Sequence, residues 1–290
     1  MTQSASKLPN LLIPGYHKAG TTTLFHELSK HPDIYPSHIK EPFYFRPYIN
    51  GKDLPPIADY ASNFLGSTTE KYRLEGSPTY IYGGERAARK IQEVLGDVRI
   101  IISLRNPVDQ LFSLYKHHLR FLKIDKNTSF LEFLKNKADF QRQFFDEHLE
   151  GWFTVFGDSV KCVFFESLIQ APGPVLADIQ DWLEISATEF IAETWINANP
   201  GESYRFKFLH QLSLGIFNKA KNIIPHRAFV ILRKYYFLLN GKANTSTITP
   251  ESRKYLEPIL ADHNARLASI LADRGYHDLP VWLKVKAEVT

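Results

Sequence analysis

The residues Gly15-Tyr16-His17-Lys18-Ala19-Gly20-Thr21-Thr22-Thr23-Leu24 combine glycines, a lysine and three threonines in one short loop. An apolar run, Leu11–Pro14, precedes them and reads as a strand; a helical pattern, Thr21–His31, follows. Strand, glycine loop and helix in this order make a cradle for a phosphate-like anion. Glycines let the backbone turn so that successive N–H groups, here including those of Ala19 and Gly20, converge on one anion. The helix N-terminus adds a partial positive charge, worth ~0.3–1 kcal/mol at an exposed site. Lys18 adds a full charge, and Thr21, Thr22 and Thr23 add hydroxyl donors. A nucleotide triphosphatase loop reads G-x-x-x-x-G-K-[ST]. Gly15, Gly20 and Thr22 keep that register, but the lysine position holds Thr21, and the lysine lies inside the loop at Lys18.

A second constellation is Ile100-Ile101-Ile102-Ser103-Leu104-Arg105-Asn106-Pro107, followed by Ser113 on the next helix. Arg105 closes an apolar strand where a magnesium-binding site of a nucleotide hydrolase would place Asp. A guanidinium at a strand end can grip a phosphate with two parallel hydrogen bonds. Two cations and no acidic metal ligand predict phosphate binding without a metal. The third constellation is Lys40-Glu41-Pro42-Phe43-Tyr44-Phe45, a carboxylate among aromatics. Phe43, Tyr44, Phe45, Tyr48, Tyr80 and Tyr82 suit stacking on a sugar or holding a hydrophobic alcohol, or else belong to the core. Lys40, Phe43, Tyr44, Tyr80 and His117 are the candidate acceptor contacts. His17, His38 and His117 are alternative bases.

These residues need a frame. Leu11–Pro14, Tyr72–Glu75, Val98–Leu104 and Val160–Phe165 are short apolar runs without alternation, as in parallel strands covered on both faces. Helical patterns at Gly84–Leu95, Pro107–Leu122, Ser129–Leu134, Ala138–Phe156 and Pro174–Leu183 alternate with them. That alternation predicts an α/β, three-layer fold with a central parallel sheet, whose ligands bind beyond the C-terminal strand ends. The expectation is a single domain over 1–290: an α/β core at 8–185 and a helical cap at 186–290. In the cap, Lys207–Asn222 and Pro225–Leu238 are basic and amphipathic, Asn240–Pro250 reads as a polar loop, and Glu251–Arg274 is a helix that starts at Thr249–Pro250 and stops at Gly275.

Composition narrows the field further. The chain has 290 residues, 44% hydrophobic and 23% charged, which excludes intrinsic disorder and fibrous repeats. One cysteine, Cys162, excludes an intramolecular disulfide and places a small buried hydrophobe in a predicted strand. No apolar stretch reaches the roughly 18 residues of a membrane span, and the first residues lack a secretory signal pattern, so a cytoplasmic protein is expected. A net charge of +4 suits an anionic ligand and does not argue for nucleic acid. The basic aromatic stretch 217–242 is a candidate for peripheral contact with a membrane, or for a lid or a solvated helix face.

At these motifs the sequence resembles the sulfotransferases that use 3′-phosphoadenosine 5′-phosphosulfate (PAPS). Gly15–Leu24 matches their G-x-x-K-x-G-T-T-x-L element, and Arg105 with Ser113 matches their second element. The resemblance implies that Lys18 and the Thr21–Thr23 turn hold the 5′-phosphosulfate, that Arg105 and Ser113 hold the 3′-phosphate, and that 3′,5′-ADP is the product. Lys40–Phe45 resembles the K-E-P-x-x-F element of the heparan-sulfate-like and bacterial carbohydrate branch, which implies Glu41 as catalytic base and a carbohydrate or glycolipid acceptor. Leu74–Tyr80 resembles a strand-end element of the heparan enzymes, but Gly76 stands where they carry lysine. Asn240–Thr245 falls where the family places a loop over the cofactor, so Lys242 joins the cofactor candidates. The other readings are a P-loop kinase or nucleotide hydrolase, and a non-catalytic module binding a nucleotide or an anionic lipid.

Overall fold

The computed structural model describes residues 7–136, 139–189 and 246–284, together with Glu202–Tyr204, Gly241–Ala243 and isolated residues between 206 and 240. The chain divides into two compact units. The first comprises Met1–Gln110, Asp139–Ile196 and Glu257–Thr290; the second comprises Leu111–Ala138 and Asn197–Leu256.

In the first unit β1 (Leu11–Ile13), β2 (Ile34–Pro36), β3 (Tyr72–Gly76), β4 (Arg99–Leu104) and β5 (Val160–Phe164) form a parallel sheet in the order β2-β3-β1-β4-β5. Four of these strands are the predicted apolar runs. The fifth, β2, carries three residues and ends on Pro36, too short for a periodic signal. Side chains alternate between faces, as a pleated strand requires. Leu12, Ile100, Ile102, Leu104 and Cys162 face one core, and Leu11, Ile13, Ile101 and Val163 face the other.

Helices cover both faces, which produces the three predicted layers. On the first face lie α4 (Gly84–Leu95) and α7 (Phe145–Phe156), with Ile91, Leu149 and Trp152 fully buried. On the second lie α1 (Thr21–Leu28), α8 (Phe165–Gln170) and α9 (Pro172–Leu183), through Leu24, Leu28, Leu168, Ile179 and Leu183. Short helices α2 (Arg46–Ile49) and α3 (Ile57–Ala61) lie between β2 and β3. The predicted helix Ala138–Phe156 is broken at Phe144, whose ψ of 72° interrupts the helical path before α7.

The last helix, α10 (Pro250–Ala272), starts as read from sequence: Thr249 Oγ1 accepts the Ser252 N–H at 3.3 Å and Pro250 takes the first helical position. From Glu257 onward it belongs to the first unit, and its Leu267 and Leu271 join the first core. His263 and Arg266 bind Asp146 of α7, at 2.9 and 2.7 Å. Cys162 is buried, and desolvation lifts its thiol to about 12, so it packs as a hydrophobe.

The second unit holds most of α5 (Pro107–Arg120) and all of α6 (Phe130–Asn136). They meet through an aromatic cluster of Phe112, Tyr115, Phe130 and Phe133. The expected polar loop at 240–250 is partly a strand. β7 (Gly241–Ala243) pairs antiparallel with β6 (Glu202–Tyr204), so the region after 185 is not wholly helical. The predicted basic helices Lys207–Asn222 and Pro225–Leu238, and with them most of the candidate membrane segment 217–242, lie outside the described residues. Among the described residues no helix is long and apolar enough to cross a membrane.

Candidate functional site

The loop after β1 is held by the strand beside it. Tyr16 N–H bonds Ser103 C=O and Ser103 N–H bonds Gly15 C=O, both at 3.3 Å, so pairing with β4 continues past Ile13. Three successive loop carbonyls are then tied to side chains. Gln110 Nε2 donates to His17 C=O at 2.6 Å, Arg105 Nη1 to Lys18 C=O at 2.9 Å, and Ser103 Oγ to Ala19 C=O. In a trans peptide the next N–H points the opposite way. Tying the His17 and Ala19 carbonyls therefore turns the Lys18 and Gly20 N–H groups away from Gln110 and Ser103.

Gly20 takes φ +83° and starts α1 without a side chain over the helix end. A Cβ there would lie 2.6 Å from the Phe165 ring, so the position is closed to other residues by both backbone and space. No acidic side chain stands in the first turn of α1 and no side chain caps it, which leaves its N-terminal dipole available to an anion. Thr21 and Thr23 are buried, and Thr22 is partly exposed.

Arg105 leaves the end of β4 and lies over Phe165, with its guanidinium carbon 4.3 Å from the ring centre. Burial lowers its pKa, and the carboxylates of Asp109 and Glu166 oppose that shift; a guanidinium stays charged under such conditions. Behind it, Asn106 Oδ1 accepts the Val108 N–H at 2.9 Å and caps α5, while Glu166 accepts the Asn106 N–H at 2.8 Å. β1 and β4 are neighbours whose chains leave toward opposite sides of the sheet, β1 toward β3 and β2, β4 toward β5. Lys18 and Arg105 thus stand at the topological switch point, where open α/β sheets bind ligands.

Glu41 lies on the turn after β2, partly exposed, with Lys40 Nζ 2.7 Å from its Oε1. His17, within the loop, feels the charge of this carboxylate. Burial pushes His17 down to about 4; Arg142, Lys18 and Lys40 act in the same direction and Glu41 opposes them. His17 is therefore neutral at pH 7, and its main-chain N–H donates to Tyr82 Oη at 3.3 Å. The charges of Glu41, Lys40 and Lys18 all reach one imidazole, so a carboxylate and the anion loop share one neighbourhood.

The donor set fits a ligand with two separate anionic groups: an uncapped helix end with outward loop N–H groups and Lys18, then a half-buried arginine one strand away. Among the described residues no three His, Cys, Asp or Glu side chains are placed to hold a metal ion. Against known proteins, residues 8–211 match the family model of the sulfotransferase domain. The chain belongs to the sulfotransferase domain family.

Relatives of this sulfotransferase domain include the mouse bifunctional heparan sulfate N-deacetylase/N-sulfotransferase 1, 26% identical over 303 residues, covering 97% of this chain and 31% of the relative. The chain thus spans about a third of the length of the curated relatives it matches. Among solved structures, a sulfotransferase from Alicyclobacillus acidocaldarius superimposes with a TM-score of 0.65 at 23% identity, covering 95% of this chain and 99% of that one. A mouse sulfotransferase complexed with PAP gives 0.51 at 14% identity, with coverage of 92% and 88%. Both share the fold.

The sulfotransferase domain brings Lys18, Ala19, Gly20, Thr21, Thr22, Thr23, Arg105, Lys40 and Glu41 into the first unit. Ser113 lies eight residues beyond Arg105 on α5, in the second unit and partly exposed. His117 follows on the same helix, 4.5 Å from the Phe121 ring. Lys242 is a residue of β7 paired with Ser203 rather than part of a loop, and its side chain lies outside the described residues. Two acceptor candidates are core. Tyr80 is fully buried, its hydroxyl taking the Phe45 N–H at 3.2 Å, and Tyr44 stacks on Tyr60 at 4.2 Å. Apolar burial of each ring outweighs any exposed role. Phe43 is partly exposed beneath Arg46. Sequence reading missed Ser103 and Gln110, because their partners are loop carbonyls more than 80 residues away.

Proposed function

We propose that this chain transfers the sulfuryl group of PAPS to a hydroxyl of a carbohydrate or glycolipid acceptor. The observation that carries the reading is the link between the two cation sites: Arg105 donates at 2.9 Å to the carbonyl of Lys18, so both charges belong to one braced unit. Lys18, the Lys18 and Gly20 N–H groups and the Thr21–Thr23 turn would hold the 5′-phosphosulfate, and Arg105 the 3′-phosphate. Bound PAPS supplies the sulfuryl group and leaves as 3′,5′-ADP.

The chain's own residues supply the rest. Glu41 takes the proton of the attacking hydroxyl, with Lys40 steering its carboxylate; a positioned base contributes about 10²–10⁴-fold. Oxygen then bonds sulfur as the bond from sulfur to the 5′-phosphate breaks. Negative charge grows on that leaving oxygen, where Lys18 and the loop N–H groups act; one such donor is worth a few kcal/mol. The heparan sulfate enzymes among the relatives support a glycan acceptor. Peripheral membrane contact through 217–242 would give access to a glycolipid.

The test is a screen of saccharides, glycolipids and phenols with ³⁵S-labelled PAPS. Label on a saccharide or glycolipid hydroxyl is the expected result. Binding of 3′,5′-ADP without transfer would favour a non-catalytic module, and Mg²⁺-dependent ATP turnover would favour a kinase or hydrolase.

A further inference from the structure

The Glu41 turn is fastened from below by three hydroxyl groups and a carboxyl that are all out of water. Glu75, at the end of β3, is fully buried, as are Ser77, Tyr80 and Tyr60 to within 2% exposure. Tyr60 Oη donates to Glu75 Oε2, and the Ser77 and Tyr80 side chains lie close enough to act electrostatically on the same carboxyl. Glu75 Oε1 has no close, well-aligned donor of its own.

On their other side these hydroxyls face the chain that carries Glu41. Ser77 Oγ accepts the Phe43 N–H and Tyr80 Oη accepts the Phe45 N–H, both at 3.2 Å. A hydroxyl has one proton and two lone pairs. Here the lone pairs of Ser77 and Tyr80 face the turn as acceptors. Tyr60 adds a stacked contact with Tyr44 at 4.2 Å.

The turn needs such a clamp. Phe43 holds φ +53°, an uncommon conformation for a residue with a Cβ, which persists only where the surroundings over-determine it. Arg46 lies over the Phe43 ring at 5.3 Å. Two residues before Phe43 stands Glu41, whose carboxylate is partly exposed and bound only to Lys40 among the hydrogen bonds described. Its placement therefore depends on the backbone beneath it.

We propose that Ser77 and Tyr80, buried beside Glu75, are positioning residues that hold the Lys40–Phe45 turn so that Glu41 meets the acceptor. The proposal rests on reading Glu41 as the base. It assigns a function to the strand-end element Leu74–Tyr80 that needs no lysine at Gly76.

The test uses Ser77→Ala, Ser77→Thr, Tyr80→Phe and Glu75→Gln in the full chain. Hydrogen–deuterium exchange of the 40–46 segment needs no acceptor. Transfer of ³⁵S from PAPS is followed to an N-acetylated heparan saccharide, whose acceptor groups are hydroxyls, and to water. Loss of one buried hydrogen bond should speed exchange of that segment about tenfold in Ser77→Ala and Tyr80→Phe. Turnover should fall about tenfold, with 3′,5′-ADP affinity within about twofold of wild type. Ser77→Thr should restore both, and the effect on turnover should vanish in a Glu41→Gln background. Unchanged exchange in both variants overturns the clamp. Faster exchange with wild-type turnover, or 3′,5′-ADP affinity falling in step with turnover, overturns its connection to the chemistry. Wild-type turnover in Glu41→Gln alone refutes the base reading instead, and exchange still decides the clamp.

Discussion

Removing the Arg105 guanidinium should convert a binder of 3′-phosphorylated nucleotides into one indifferent to that phosphate. Arg105 does two jobs that the structure separates. One donor holds the Lys18 carbonyl at 2.9 Å, and the rest of the fork, over Phe165 at 4.3 Å, is left for a ligand. The anchor is an ordinary hydrogen bond, worth about 0.5–1.5 kcal/mol net, and its loss should weaken every ligand of the loop alike. A guanidinium on a phosphate makes charge-assisted bonds of about 1.5–3 kcal/mol each. Arg105→Ala should therefore cost 3′,5′-ADP about 2–4 kcal/mol more than it costs 5′-AMP, roughly a 30- to 700-fold change in selectivity. Arg105→Lys should fall between, because the charge stays while the fork and the stacking are lost. Isothermal titration calorimetry with both nucleotides at fixed ionic strength reads this directly. Equal losses for the two ligands would reduce Arg105 to a loop anchor and remove it from 3′-phosphate recognition.

Three further outcomes follow from the same geometry. Gly20→Ala should lose about 2–4 kcal/mol in urea unfolding, from the left-handed backbone and the Cβ pressed on Phe165; a loss under about 0.5 kcal/mol would contradict the tight loop. His17 and His148 are both held near 4 by burial, below their unfolded value, so the unfolded state binds the extra protons. Their stability contribution is complete above about 6.5 and is lost as pH falls toward 4, each by up to about 1.4 kcal/mol per pH unit; melts between pH 7 and 4.5 should show this, and His17→Gln with His148→Gln should flatten the curve. Glu41→Gln should cut transfer about 10²–10⁴-fold while 3′,5′-ADP binds within about twofold of wild type, whereas Lys18→Ala should weaken both.

Much of this site was legible in one dimension. Gly15–Leu24 announces an anion loop because a phosphate cradle is built from consecutive backbone groups, and local sequence controls their conformation. Arg105 reads as a strand-end cation because it follows the apolar residues Ile100–Ile102 and Leu104 of its strand, Arg99–Leu104. β2 carries no readable period because it has three residues ending in proline, and Gly241–Ala243 does not read as a strand because, among the described residues, it is paired with the distant Glu202–Tyr204. For Tyr44 and Tyr80 the sequence leaves acceptor contact and core both open, because an aromatic beside a carboxylate looks the same whether its ring is buried or exposed; the structure buries both.

By itself the sequence determined the chemical inventory and the parallel α/β frame: which groups carry charge, which can turn without a side chain, and which runs must be covered on both faces. Tertiary structure alone decided how that inventory meets. Strand order β2-β3-β1-β4-β5 puts Lys18 beside Arg105 at the switch point, although 86 intervening residues separate them in the chain. It also turns Ser103, Gln110, Ser77 and Tyr80 toward backbone groups of distant loops. Hydrogen bonds to main-chain atoms leave no trace in residue type at the receiving end, so only the folded chain shows which loops are braced and by what.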